Sequence, residues 1–84
     1  RNHPNLRLPL THLGVTLREL GRHEEAIRIL REALLIQLEF GGEDHRDTGL
    51  FRNNLAVALR RAGQIADAEQ QLRAVVAAEE RKFG

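Results

Sequence analysis

The sequence LGVTLRELGRHEEA, residues 13–26, decides the fold of this chain, and a similar phrase, LAVALRRAGQIADA, returns at residues 55–68. Each phrase carries apolar residues at helical spacing up to a glycine, Gly21 in the first and Gly63 in the second. Glycine is the usual residue just past a helix end, where the chain turns through a left-handed conformation. A second helical pattern follows within a few residues. Each phrase therefore predicts two helices that are joined by a short turn and packed antiparallel.

An internal repeat relates the two halves of the 84-residue chain. When the chain is aligned with itself at a shift of 42 residues, eleven pairs are identical, most of them at apolar or turn positions. The identical pairs are His3/His45, Leu8/Leu50, Leu13/Leu55, Val15/Val57, Leu17/Leu59, Arg18/Arg60, Gly21/Gly63, Ala26/Ala68, Leu30/Leu72, Arg31/Arg73 and Gly42/Gly84. Repeat periods of about 20 to 50 residues are typical of solenoids. The sequence predicts one domain, residues 1–84, with repeat one at 3–42 and repeat two at 45–84.

Four helices are predicted from segments rich in Leu, Ala, Arg, Glu and Gln, which are good helix formers. We expect them at about residues 8–20, 24–39, 46–62 and 66–82, with Asp44 as the N-cap of the third. β-branched and aromatic residues are too sparse for strands. The predicted fold class is all-α, an array of antiparallel helix–turn–helix repeats that forms an α–α superhelix.

Small residues are predicted to lie where these helices cross, because a small side chain lets two backbones approach closely. The four small residues are Gly14, Ala26, Ala56 and Ala68. We expect the second and fourth helices to stack in register through these contacts. The surrounding space is predicted to be filled by Leu13, Leu17, Leu30 and Ala33, and in the second half by Leu55, Leu59, Leu72 and Val75.

The pattern Leu13-Gly14, Leu17, Gly21, Ala26, Leu30, Ala33 resembles the tetratricopeptide repeat. The 42-residue spacing is most similar to the kinesin light chain type of that repeat, whose linker commonly reads G-P-D-H-P-D. Here the corresponding stretch is GEDHRD, residues 42–47, and NNLA at residues 53–56 matches that type's first helix. The match departs from the family because aromatic residues are missing from the helices. Gly41 also stands where an apolar residue is usual, with Phe40 one step earlier.

The resemblance implies that the first helix of each repeat lines a concave groove that binds an extended peptide or a partner helix. The positions that match groove-facing sites are Leu8, Thr11, His12, Val15 and Arg18 in repeat one, and Leu50, Asn53, Asn54, Val57, Arg60 and Arg61 in repeat two. An Asn amide both donates and accepts, so Asn53 and Asn54 are candidates to pair with a peptide backbone. The three Arg side chains favour acidic groups. Alternatively, all three are solvated surface residues that bind nothing.

Composition excludes several classes of function. There are 13 basic and 12 acidic residues, for a net charge of +1, and there is neither Trp nor Tyr. A strong positive field and stacking platforms are therefore missing, which argues against nucleic-acid binding. No apolar run approaches the ~20 residues of a membrane span. With no Met in the sequence and Arg far commoner than Lys, we expect a piece of a longer bacterial protein located in the cytoplasm.

Catalytic, cofactor and metal sites are not predicted. The chain has no Cys and no Ser, so a nucleophile with its base cannot be assembled. His45 lies among acidic residues, but a polar loop explains that cluster better than a metal does. We therefore expect a non-catalytic protein-interaction module.

Two alternatives stay open for the function. The second helix is apolar on almost all sides, and the fourth lacks a following repeat to cover Leu72, Val76 and Phe83. Exposed apolar patches of this kind usually mark an interface. The chain is therefore expected to form a homo-oligomer or to pack against neighbouring repeats. In the alternative reading, it is a structural or oligomerisation segment of a larger signalling or regulatory protein.

Overall fold

The computed structural model describes residues 4–84, and over that range the chain is an all-α structure with no strand. A short 3-10 turn, Pro4–Leu6, leads into four α-helices: α1, Arg7–Glu19; α2, His23–Gly41; α3, Thr48–Arg61; and α4, Ile65–Phe83. The predicted all-α class is confirmed. The predicted start of repeat one, His3, lies outside the described residues.

The two glycines that end α1 and α3 do so in the predicted way. Gly21 and Gly63 have φ angles of 81° and 85°, a conformation that only glycine adopts without strain. After α1, the amide of Arg22 donates to the carbonyl of Leu17 at 2.9 Å and that of Gly21 donates to Arg18 at 3.0 Å. The same pair of bonds follows α3. This double closure is the Schellman arrangement, and it folds each helix pair into an antiparallel hairpin.

The order in which the helices pack corrects one prediction. α1 packs on α2, α3 packs on α4, and the two hairpins meet where α3 lies against α2, with a smaller α1–α3 contact. The backbones of α2 and α4 do not approach each other, so their predicted stacking is wrong. The reason is that α3 occupies the space between them. The predicted small-residue crossings are confirmed, because all four residues are buried.

The core also differs from the prediction at its edges. Leu17, Leu30 and Ala33 are buried as expected, and so are Leu55 and Leu59. Leu13 is instead exposed, since no helix within residues 4–84 lies on the outer side of α1. Leu72 is exposed and Val75 half-buried for the corresponding reason at α4. The outermost apolar residues of the two end helices therefore remain in solvent.

The linker between the hairpins corrects the predicted N-cap. α2 continues to Gly41, and Gly42 then turns the chain with φ 79°. Asp44 does not cap α3, because its carboxylate instead accepts two bonds from the Arg81 guanidinium, at 2.8 and 3.1 Å. This hydrogen bond and the carboxylate charge raise the pKa of Arg81. The amide of Asp47, just before α3, is satisfied by Nδ1 of His45 at 3.0 Å.

A buried polar network anchors this linker to the helices. Gln37 is fully buried; its side-chain oxygen accepts from Nη1 of Arg7 at 2.6 Å, and its amide donates to the Thr48 hydroxyl at 3.2 Å. Thr48 in turn donates to the carbonyl of Gly42 at 2.7 Å. Buried polar groups cost little when they are all paired. The network therefore fixes how the second hairpin is set on the first.

Candidate functional site

The candidate site is the face on which α1 and α3 lie side by side. Two sets of contacts show that these helices run parallel. Leu8 and Leu50, near the two helix starts, line one depression. Near the helix ends, Arg18 of α1 donates to the backbone oxygen of Asn54, and Arg61 of α3 pairs with Glu19. The face is therefore a shallow groove with an apolar end and a basic end.

At its apolar end, the groove holds a depression of about 220 Å³. Leu8 and Leu50 are exposed on its rim, and the half-buried or buried remainder of the lining is Arg7, Asp47 and Phe51. The family resemblance predicts the two leucines but not Arg7, Asp47 or Phe51. Only their positions in the sequence could have indicated Arg7 and Phe51, because Arg7 adjoins Leu8 and Phe51 adjoins Leu50. The lining of the depression is apolar except for the Arg7 and Asp47 side chains.

The middle of the groove carries hydrogen-bonding side chains from both helices. The Thr11 hydroxyl donates to the carbonyl of Arg7 at 2.8 Å, which leaves its oxygen free to accept. His12 and Asn53 are exposed and Asn54 is half-buried. Neither Asn amide side chain makes a hydrogen bond within residues 4–84. Val15 and Val57, both half-buried, form the apolar floor beneath these polar groups.

The three arginines at the basic end of the groove differ in exposure. The Arg18 side chain is only 11% exposed, and its Nη1 donates to the Asn54 carbonyl at 3.0 Å. Arg18 is thus a packing residue that joins α1 to α3. Arg60 and Arg61 are exposed, and Arg61 approaches Glu19 at 3.3 Å. With three guanidinium groups against one carboxylate, this end of the groove is positive.

A second depression lies on the opposite side of the molecule and was not indicated by the sequence. It has a volume of about 310 Å³ and lies between α2 and α4, above α3. The guanidinium of Arg52, at its edge, is held by the Glu43 carboxylate at 2.8 and 2.6 Å and by the Gln71 side-chain oxygen at 2.6 Å. Its lining residues are Arg31, Leu34, Leu35, Leu38, Arg52, Leu55 and Gln71.

The acidic side chains around His45 make contacts that join the linker to the helices. Asp44 pairs with Arg81, Glu43 pairs with Arg52, and the His45 ring lies against Phe40 with the ring centres 5.7 Å apart. Among residues 4–84, no three His, Asp or Glu side chains converge in a way that could hold a metal ion. None of the helices in that range has the length and apolar character to cross a membrane.

Comparison with known proteins identifies the family. The sequence model of the tetratricopeptide repeat matches residues 6–81, a span that includes all four helices except the last residues of α4. No curated protein sequence is significantly similar to the chain. The family match covers both hairpins. The chain therefore belongs to the tetratricopeptide repeat family, whose members are helical scaffolds for protein interaction.

Proposed function

We propose that this chain is a non-catalytic module that binds an extended, acidic peptide in the groove between α1 and α3. The observation that carries the proposal is the polarity of the groove along its length. An apolar depression at Leu8 and Leu50 is followed by the amides of Asn53 and Asn54, which make no side-chain hydrogen bond within residues 4–84, and then by the exposed guanidinium groups of Arg60 and Arg61.

The length of the groove sets the length of the ligand. From Leu50 to Arg61 the helix rises about 16 Å at ~1.5 Å per residue. An extended chain covers ~3.3 Å per residue, so about five peptide residues fit between the two ends. The expected ligand has an aliphatic side chain for the depression and carboxylates about five residues away for the arginines. Asn53 and Asn54 are expected to hold the peptide backbone between them.

Binding of designed probes tests this proposal. We would measure, by fluorescence anisotropy, the affinity of a labelled six-residue peptide with leucine near one end and two glutamates near the other, in both orders. The same peptide with lysines in place of the glutamates is the charge control. We expect the acidic probe to bind at least about tenfold more tightly, since each charge-assisted contact contributes ~1.5–3 kcal/mol.

Variants of the groove separate its binding role from its packing role. Replacing both Asn53 and Asn54 with Ala should weaken binding of the acidic probe by about tenfold, because two hydrogen bonds of ~0.5–1.5 kcal/mol are lost. Gln70→Ala, at an exposed position on α4, is the matched control and should leave the affinity unchanged. Equal affinity of the double variant and the parent chain would contradict the proposed groove.

A second candidate function is self-association, as in a structural or oligomerisation segment. It is favoured by exposed apolar side chains in α1 and α4 and just beyond the two ends of α1, which are Leu6, Leu13 and Leu20, and Leu72, Val76 and Phe83. Since these residues lie outside the α1–α3 groove, peptide binding and self-association are compatible.

We also propose that the chain belongs to the 42-residue, kinesin light chain-like subtype, with repeats at 3–42 and 45–84. The support is the equal spacing of Gly21 and Gly63, of the two Schellman turns and of the two small-residue crossings. Bacterial origin and cytoplasmic location stay predictions from the sequence.

A further inference from the structure

The depression between α2 and α4 has an aliphatic floor. Leu34 and Leu55 are 5% and 1% exposed and form its base, whereas Leu38 is half-buried and Leu35 is 61% exposed at its edge. Among the described residues, neither an aromatic ring nor a carboxylate is part of the lining. Because α3 packs against both α2 and α4, the depression is formed between the two hairpins and is not an end of the molecule.

Arg52 holds the polar side of this depression in place. Its side chain is 12% exposed, and the two carboxylate oxygens of Glu43 accept from its Nε at 2.8 Å and its Nη2 at 2.6 Å. Its Nη1 donates to the side-chain oxygen of Gln71 at 2.6 Å. Glu43, which is not part of the lining, therefore neutralises this guanidinium. Arg52 is a positioning residue that fixes the orientation of the Gln71 amide.

Gln71 contributes hydrogen-bond donors to the depression. A glutamine amide has an oxygen that accepts and a nitrogen that carries two donor hydrogens. The oxygen of Gln71 is taken by Arg52, whereas its nitrogen makes no hydrogen bond within residues 4–84. Gln71 is half-buried on the wall that α4 forms. Its two N–H groups are therefore the part of the side chain that can meet an acceptor on a ligand.

Arg31 adds a positive charge that no carboxylate of the described chain balances. It is exposed and lines the same depression from α2. Its guanidinium makes neither a hydrogen bond nor an ion pair within the part of the chain that the structure describes. The α2 residues one turn away from it are Ile27, Arg28, Leu34 and Leu35, none of which is acidic. The polar side of the depression therefore offers donors and one uncompensated positive charge.

From this arrangement we propose that the α2–α4 depression binds a small aliphatic carboxylic acid. Its carboxylate lies against Arg31 and Gln71, and its hydrocarbon chain lies along the leucines. A carboxylate only accepts hydrogen bonds, and the planar fork of a guanidinium matches its two oxygens. A cationic ligand would find donors and a like charge in the same place. The site is independent of the peptide groove, which lies on the opposite side of the molecule.

The dimensions of the depression favour an unbranched chain of medium length. Its volume of about 310 Å³ is near the lower end of the range for ligand sites, ~300–1,000 Å³. Along α2, the helix rises about 10 Å from Arg31 to Leu38, at ~1.5 Å per residue. Leu34, Leu35 and Leu38 follow this line, because residues three, four and seven positions apart share one side of a helix. An alkyl chain can therefore extend along α2 from a carboxylate bound at Arg31.

Titration of the isotope-labelled chain with octanoate, followed by two-dimensional NMR, tests the proposal. We expect a dissociation constant on the order of 1 mM, as suits a ligand with few non-hydrogen atoms. The Nε–H signal of Arg31 and the amide N–H signals of Gln71 should shift, and the Nε–H signal of Arg60 in the peptide groove should not. Octylammonium has the same chain with the opposite charge, and it should bind at least about tenfold more weakly because the charge-assisted hydrogen bonds are lost.

Variants of the polar side separate binding at this site from general apolar adhesion. Arg31→Gln should weaken octanoate binding by at least about tenfold, because it removes the charge and leaves the leucines unchanged. Arg73→Gln is the matched control, since Arg73 is the equivalent residue of repeat two and is exposed outside the depression; its affinity should equal that of the parent chain. Gln71→Glu keeps an acceptor for Arg52 but places a carboxylate beside that of the ligand, so it should abolish binding.

Several results would overturn this site. They are the absence of shifts with octanoate at about ten times the expected dissociation constant, equal affinity for octylammonium, and equal effects of Arg31→Gln and Arg73→Gln. N-acetylleucine carries its carboxylate on a shorter, peptide-like body and should bind more weakly than octanoate. Tighter binding of N-acetylleucine would overturn the alkyl acid as the ligand and indicate the end of a peptide. Each of these results would leave peptide binding between α1 and α3 unaffected.

Discussion

Gly14 of α1 lies directly on Leu30 of α2, and a methyl group at Gly14 would come within 2.5 Å of Cδ2 and 2.6 Å of Cγ of that leucine. Leu30 is fully buried, so it has no free space into which to move. The close approach of α1 and α2 therefore depends on the absence of a side chain at residue 14.

We predict that Gly14→Ala lowers the free energy of unfolding by up to about 2 kcal/mol. Alanine has the better helix propensity by ~1 kcal/mol, but overpacking a filled core costs ~1–3 kcal/mol and requires the helices to separate. Urea unfolding followed by circular dichroism measures the change.

Gly49→Ala is the matched control for this variant. A methyl group at Gly49 would meet only Cγ1 of Val75, at 3.6 Å, which is ordinary van der Waals contact. Here the gain in helix propensity has no opposing clash, so stability should rise by about 0.4–1 kcal/mol. Equal effects of the two substitutions would show that the Gly14 crossing is not tight.

A second prediction concerns the buried network at the linker. Gln37→Ala removes the acceptor of Arg7 and the donor to Thr48. It also opens a cavity in the space that the side chain fills. We expect the free energy of unfolding to fall by about 2–3 kcal/mol, because buried polar groups lose their partners.

Gln70→Ala provides the comparison, because Gln70 lies on the exposed side of α4 and its loss should change stability by less than about 0.5 kcal/mol. Thermal unfolding of both variants under identical conditions makes the measurement. If Gln37→Ala were as stable as Gln70→Ala, the polar network would contribute nothing to the junction of the hairpins.

Sequence reasoning succeeded where a residue acts through its own backbone or its own helix. Gly21 and Gly63 were identified because glycine is needed wherever the chain turns through a positive φ angle, and the helices followed from their composition. The small-residue crossings were identified because the same positions are small in both halves of the repeat. Such features depend on local chemistry, which a sequence displays directly.

The errors occurred where a side chain acts across the structure. Asp44 has the chemistry of an N-cap, but Arg81, distant in sequence, takes its carboxylate. The resemblance places Arg18 in the groove but does not indicate that its Nη1 donates to the Asn54 carbonyl of α3. The glycine at position 41, which departs from the family pattern, makes room for the His45 ring, whose Cγ would be 2.6 Å from a methyl group there. None of these contacts follows from helical periodicity.

The last prediction tests whether Arg18 holds α1 and α3 together. Arg18→Ala removes the bond to the Asn54 carbonyl and leaves that carbonyl with only its bond inside α3. The arginine itself carries a cost, because its Nε is buried without a partner within the described residues. We expect a net loss of about 1–2 kcal/mol in the free energy of unfolding, within the range for hydrogen bonds to charged groups.

Arg60→Ala is the control, because Arg60 is the equivalent residue of repeat two but is exposed and has no helix beyond it in the described chain. At dilute concentration its removal should change stability by less than about 0.5 kcal/mol. Chemical unfolding of both variants at about 1 µM, where the proposed association is absent, measures the difference. Equal and small losses for both arginines would mean that the Arg18 bond does not hold α1 and α3 together.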